Sequence, residues 1–259
     1  MPPDPVGRTA QDALSTADVD VLALLAAEAA RFSAPPPDLL RSRILATARV
    51  EPFTFISSES GIWIECPGGG AAKELFHDSG DRASTRLLRV DAVQPLPPSS
   101  IEGSRGILVV RGGLRLGETV LGVGEFLSEG SEHRRWLATS DSLLLEYTNA
   151  RVDLTESKAA TAAGYSAFPG GRMRTLVGGH GDPQEVYVLE MAPRSALGEH
   201  EHGGVEELFV LGGSCHIEGR AMAVGDYHRA AAGTHHQPTA TDDGCVLVVS
   251  VRDLPRLAA

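Results

Sequence analysis

The stretch "GEHEHGGVEELFVLGG", Gly198 to Gly213, decides how this sequence is read. It places His200, His202, Glu206 and Glu207 just ahead of an apolar run with the composition of a buried strand. Along a strand, residues i and i+2 project from one face, so His200 and His202 point together. Glu206 joins that face if the strand resumes after the Gly203–Gly204 pair. His236 follows a Gly-flanked hairpin, "AVGDYHRAAAGTHHQP", whose return strand would bring it opposite the first three. Three neutral imidazoles and one carboxylate inside a β-barrel suit one divalent transition metal, because the nitrogens are borderline donors and the carboxylate offsets part of the charge. His235 should point away from His236, and His216 is a weaker candidate. His228 and Glu207 read as outer or surface groups, and Cys245 as a small buried hydrophobe.

Outward from this stretch, the chain after Val50 is built of short β-rich runs such as "GILVV", "EVYVLEM" and "CVLVVSV", separated by Gly- and Pro-bearing turns. That spacing predicts an all-β antiparallel sandwich or barrel. Ahead of it, Ala17 to Ala48 is rich in Ala and Leu at helical spacing, and the prolines at 35 to 37 split it into two short helices. The organisation expected is a helical segment over 1–50, a β unit over 51–150, a polar linker from Arg151 to Gly164, and a second β unit over 165–255. A formal charge of −11 argues against nucleic acid or an anionic membrane as partner. No apolar run approaches the roughly 20 residues of a membrane span, and no secretory signal opens the chain. Cys66, Cys215 and Cys245 are too few and too scattered for a disulfide framework, which points to a reducing cytoplasm.

The two β units read as repeats. "CPGGGAAKELFHDSGDRASTRLLRVDAV" from Cys66 parallels "FPGGRMRTLVGGHGDPQEVYVLEMAP" from Phe168, "GILVVRGG" parallels "ELFVLGG", and "GSEH" parallels "GTHH". Matching landmarks in one order imply a duplicated domain rather than a short-period solenoid. On this alignment the first copy offers Ser100, Glu102, Gly106 and His133 opposite the ligands of the second, and is expected to have lost its site.

These residues carry a resemblance to the cupin family. "HEHGGVEELFVLGG" resembles the first cupin motif through His200, His202, Glu206 and Gly213, with Arg194 where the motif opens on Gly. "GDYHRAAAGTHH" resembles the second through Gly225, Gly233 and His236, with Ala231 in place of the motif's proline. Within cupins, Gly198 to Val251 is similar to the cupin domain of ChrR-type anti-sigma factors. The resemblance implies two cupin (double-stranded β-helix, jelly-roll) barrels after the N-terminal helices. It also implies a metal held by His200, His202, Glu206 and His236, zinc foremost, with iron, manganese or nickel as alternatives. It implies a sensory or anti-sigma role with a sigma factor or small-molecule effector as partner, and pairing of two chains. No His or Cys precedes Cys66, so the zinc motif of that family's N-terminal clasping domain is absent from this sequence. The same ligand set also serves enzymes, so an Fe(II)-dependent dioxygenase or a metal-dependent isomerase is the alternative expectation. No catalytic base is identifiable, although Tyr227 and His228 lie near the second motif.

Overall fold

The computed structural model describes residues 52–78, 82–99, 101–130, 134–150, 164–178, 184–201 and 203–252. The expected N-terminal helices, the linker at 151–163, Ser100, His133 and His202 lie outside these residues. All the described regular elements are strands, as the β-rich runs predict. Among the described residues no helix is long and apolar enough to cross a membrane.

In the first half, a six-stranded antiparallel sheet runs Ile64–Glu65, Ala71–Asp78, Ala83–Val90, Ser142–Asn149, Ser104–Arg111, Phe126–Glu129. A smaller sheet of Thr119–Leu121, Leu114–Leu116 and Leu137–Ala138 shares one apolar cluster with it. Leu88, Ile107, Val109 and Leu144 of the large sheet meet Leu114, Leu121 and Trp136 there. The second half repeats the plan around Val205–Ile217. Its first part pairs with Tyr227–Ala230 and Cys245–Arg252, and its last part pairs with Arg220–Ala223 and, at His216, with Thr239–Thr241. The transition falls at the Gly212–Gly213 pair, next to a register shift between Val210 and Gly212. Gly213 has φ +68, and a Cβ there would strike the Gly244 carbonyl oxygen, so this corner admits only glycine. Leu189, Leu208, Val210, Ile217, Leu247 and Val249 fill the space between its sheets.

The alternate side chains of the two large sheets face each other. Leu87, Leu108, Phe126 and Leu145 of the first half form a single cluster with Val186, Val188, Phe209 and Val248 of the second. Each large sheet is therefore buried on both faces, which is why "GILVV" and "CVLVV" read as continuous apolar runs rather than alternating ones. Glu207 lies at this junction. It accepts hydrogen bonds from Thr85 Oγ1 of the first half (2.5 Å) and from the Tyr227 hydroxyl (2.5 Å), and pairs with Arg252. Burial, reinforced by the Glu207 charge, holds the Tyr227 phenol well above its ordinary pKa and keeps it a donor. Phe53–Ile56 lies in sequence ahead of the first half's sheet but pairs with Tyr227–Ala230 of the second, Phe53 opposite Ala230 and Phe55 opposite His228.

Candidate metal centre

Two short strands, His200–Glu201 and His235–His236, pair at the mouth of the second half and set His200 directly opposite His236. Their rings stack at 17° with centroids 5.6 Å apart. The Val205–Ile217 strand brings Glu206 beneath them, 5% exposed and on the same face as Leu208 and Val210. His200 Nε2 lies 4.0 Å from Glu206 Oε2, and His236 Nε2 lies 3.8 Å from Glu206 Oε1. The opposite nitrogen of each ring faces an acceptor: His200 Nδ1 is 3.0 Å from the Gly198 carbonyl oxygen, and His236 Nδ1 is 3.0 Å from Glu218 Oε1. A carbonyl can only accept, so His200 Nδ1 donates there, and in the neutral ring Nε2 is then the lone-pair nitrogen on the side of Glu206.

The two imidazoles have different electrostatic settings. The Glu206 carboxylate beside His200 raises its pKa above the ordinary imidazole value. For His236, burial prevails over its two carboxylate neighbours and lowers the pKa. His236 is 1% exposed, walled on one side by the Phe53 ring at 5.1 Å and on another by the edge of His228, also at 5.1 Å. His235 points outward and pairs with Glu199 at 3.5 Å, as strand alternation requires. His216 is exposed, and Cys245 is buried among apolar side chains.

Three of the four residues singled out in the sequence, His200, Glu206 and His236, are thus brought together, and His202 lies outside the described residues. The donor set fits a transition metal. Two ligands each about 2.1 Å from one ion stand roughly 3.0–3.4 Å apart, so the nitrogen-to-carboxylate gaps need to close by roughly 0.4–1 Å. As they stand, no group of three or more His, Cys, Asp or Glu side chains among the described residues is close enough to hold an ion.

Two expectations need correction. Of the two readings open for His228 and Glu207, behind the ligand candidates or at the surface, the surface one falls, since they are 0% and 1% exposed and the His228 ring lies against His236. His228 Nδ1 meets the Thr54 carbonyl at 3.1 Å, and its ring packs between Phe53 and Phe55. The alternation Tyr227–His228–Arg229 carried the signal, since it sends His228 to the face shared with Leu208.

The second correction concerns the first half. Its ladder register is one residue away from the alignment that set Gly106 opposite Glu206. Val109 exchanges backbone hydrogen bonds with Gly124 and Glu125 as Val210 does with Gly225 and Asp226, and the bulges fall after these valines. Counting back from this anchor, Gly106 corresponds to Glu207 and Arg105 to Glu206. A guanidinium, 2% exposed, therefore occupies the place that the Glu206 carboxylate has in the second half. Its Nε is 2.6 Å from Glu146 Oε1, its Nη2 donates to the Pro97 carbonyl at 3.0 Å, and Arg86 pairs with the other Glu146 oxygen. There the first half holds an internal arginine–glutamate–arginine cluster.

Comparisons with known proteins agree with this architecture. Residues 157–255 match the family model of the ChrR cupin-like domain. No curated protein matches the chain. Among solved structures the chain is similar to a candidate dioxygenase of Nostoc punctiforme, with 17% identity, TM-score 0.62, and coverage of 80% of this chain and 85% of that one. It is likewise similar to protein Ylba of E. coli, with 14% identity, TM-score 0.63, and coverage of 81% and 95%. Bacillus subtilis oxalate decarboxylase, a protein with Mn(II) centres, matches with 10% identity, TM-score 0.56, and 77% of each chain covered. At these identities the likeness establishes a cupin fold and nothing about activity.

Proposed function

We propose that residues 51–150 and 165–255 are two cupin barrels of one chain, and that the second holds a single divalent transition metal through His200, His202, Glu206 and His236. The observation that carries this reading is the convergence of His200 Nε2 and His236 Nε2 on the two oxygens of one buried carboxylate. Zinc is the expected occupant, with iron, manganese or nickel as alternatives, because nitrogen and oxygen donors do not discriminate strongly among these ions. When bound, such an ion supplies Lewis acidity to an oxygen ligand. The chain's own residues present lone pairs on one side and exclude water on the other, where Phe53 and His228 close over His236.

The role supported best is that of a metal-dependent sensory or regulatory module, because the ChrR domain match falls on the half that carries the ligands. A sigma factor or a small-molecule effector is the partner expected of such a module. A second reading, an Fe(II) dioxygenase or a metal-dependent isomerase, is favoured by one feature: the His200 side chain is 40% exposed, so one side of the centre faces solvent. Metal analysis of untagged protein, followed by oxygen uptake after iron loading, tests both. Metal near one equivalent with no uptake across dicarbonyl and enediol substrates supports the regulatory role. Uptake supports the enzyme, and absence of metal affinity overturns the centre itself.

A further inference from the structure

We propose that Glu218 is the positioning residue of His236, acting from outside the centre to turn Nε2 toward Glu206. This rests on the metal centre proposed above.

Glu218 lies at the head of the hairpin that joins Val205–Ile217 to Arg220–Ala223, closed by the pair Ile217 and Arg220. The two residues between, Glu218 and Gly219, have φ +50 and +70. A two-residue turn with both φ values positive selects Asn-Gly or Gly-Gly, and glutamate is an unfavourable choice there. Its side chain accounts for the choice. Oε1 reaches back across the barrel mouth to within 3.0 Å of His236 Nδ1, and accepts a hydrogen bond from the next backbone amide, Gln237 N–H, at 2.8 Å. Local backbone strain is thereby exchanged for two contacts on the return strand that carries the ligand. A carboxylate at Nδ1 keeps the proton there and leaves Nε2 as the lone-pair nitrogen. Metal-bound imidazoles are commonly fixed in this way, and loss of the outer partner costs about 10- to 100-fold in metal affinity. Asparagine would suit the turn better but is too short to reach the ring.

The test uses the full chain and its Glu218→Asn, Glu218→Ala and Glu218→Gln variants. Cobalt and zinc affinities are read by competition with a chromophoric chelator. The tautomer of His236 is read by nitrogen NMR on metal-free protein at a pH where the ring is neutral. E218N should keep or raise the melting temperature while affinity falls about 10- to 100-fold. E218Q, whose amide oxygen can still accept from Nδ1–H, should restore affinity to within a few fold of the parent. The parent should show the Nδ1–H tautomer, and E218A a mixture. Unchanged affinity in E218N, or an Nε2–H tautomer in the parent, would overturn the assignment. If the parent binds no metal, the centre falls, while the tautomer measurement still decides the role of Glu218.

Discussion

Removing the charge of Glu146 should destabilise both halves together, because they share one core. Glu146 is 0% exposed and meets two guanidinium groups, those of Arg86 and Arg105, which are 8% and 2% exposed. Glu146→Gln preserves the shape but leaves both cations with neutral acceptors alone, the new amide oxygen and the Pro98 and Pro97 carbonyls, and puts an NH2 donor where a carboxylate oxygen stood. Breaking a buried ion pair by neutralising one partner costs about 3–5 kcal/mol, since the stranded charge has lost its compensation. That is a large fraction of the about 5–15 kcal/mol that holds a domain together. At about 2–4 °C per kcal/mol for a chain of this size, the melting temperature should fall by about 6–20 °C. Urea denaturation followed by circular dichroism gives the free energy directly. A companion variant, Arg86→Met with Glu146→Leu and Arg105→Met, removes all the charges and should recover most of the loss, because a fully apolar replacement leaves nothing uncompensated. A loss below about 1 kcal/mol in E146Q, or a companion as unstable as E146Q, would refute the view that the Glu146 carboxylate is what compensates these two buried guanidiniums.

The remaining expectations concern the centre and the junction. His202→Ala should reduce bound metal well below one equivalent, whereas His133→Ala should leave it unchanged; elemental analysis of both variants decides. Chelation should destabilise the protein by about 2.7 kcal/mol relative to protein at a free-metal level of about 100 times Kd, a melting shift of about 5–11 °C by scanning calorimetry. Gly106→Ala should cost about 1–3 kcal/mol in urea titrations, because its Cβ would lie 2.6 Å from Phe126 Cζ in the shared core.

Alternation and turn residues made the strands and the convergence of His200, Glu206 and His236 legible in the sequence, since period-2 geometry fixes which side chains share a face. The counterpart of Glu206 in the first half was not legible. "VVRGG" and "FVLGG" end in the same glycine pair, and the alignment that superposes the pairs hides a difference of one residue in where the chain turns: Gly112, not Gly113, has the positive φ that corresponds to Gly213. A one-residue slip exchanges the two faces of a strand, and so it replaced an interior arginine with a glycine of the shared core. The pairing of Phe53–Ile56 with Tyr227–Ala230 joins residues more than 170 positions apart in the chain, beyond the reach of any local pattern. Glu218 was likewise hidden, because its partner is set by the way two hairpins cross at the barrel mouth.

The strand Phe53–Ile56 has a consequence for how this protein can be taken apart. A fragment cut at the linker would lose the Phe53 and Phe55 rings beside His228 and, with them, the Thr54 carbonyl. It would also turn Val186, Val188, Phe209 and Val248 out to water. The pairing of Phe53–Ile56 with the second half and the core that the two large sheets share make the described halves one body. Expressed alone, the half that carries His200, Glu206 and His236 should aggregate rather than serve as a minimal version of the whole.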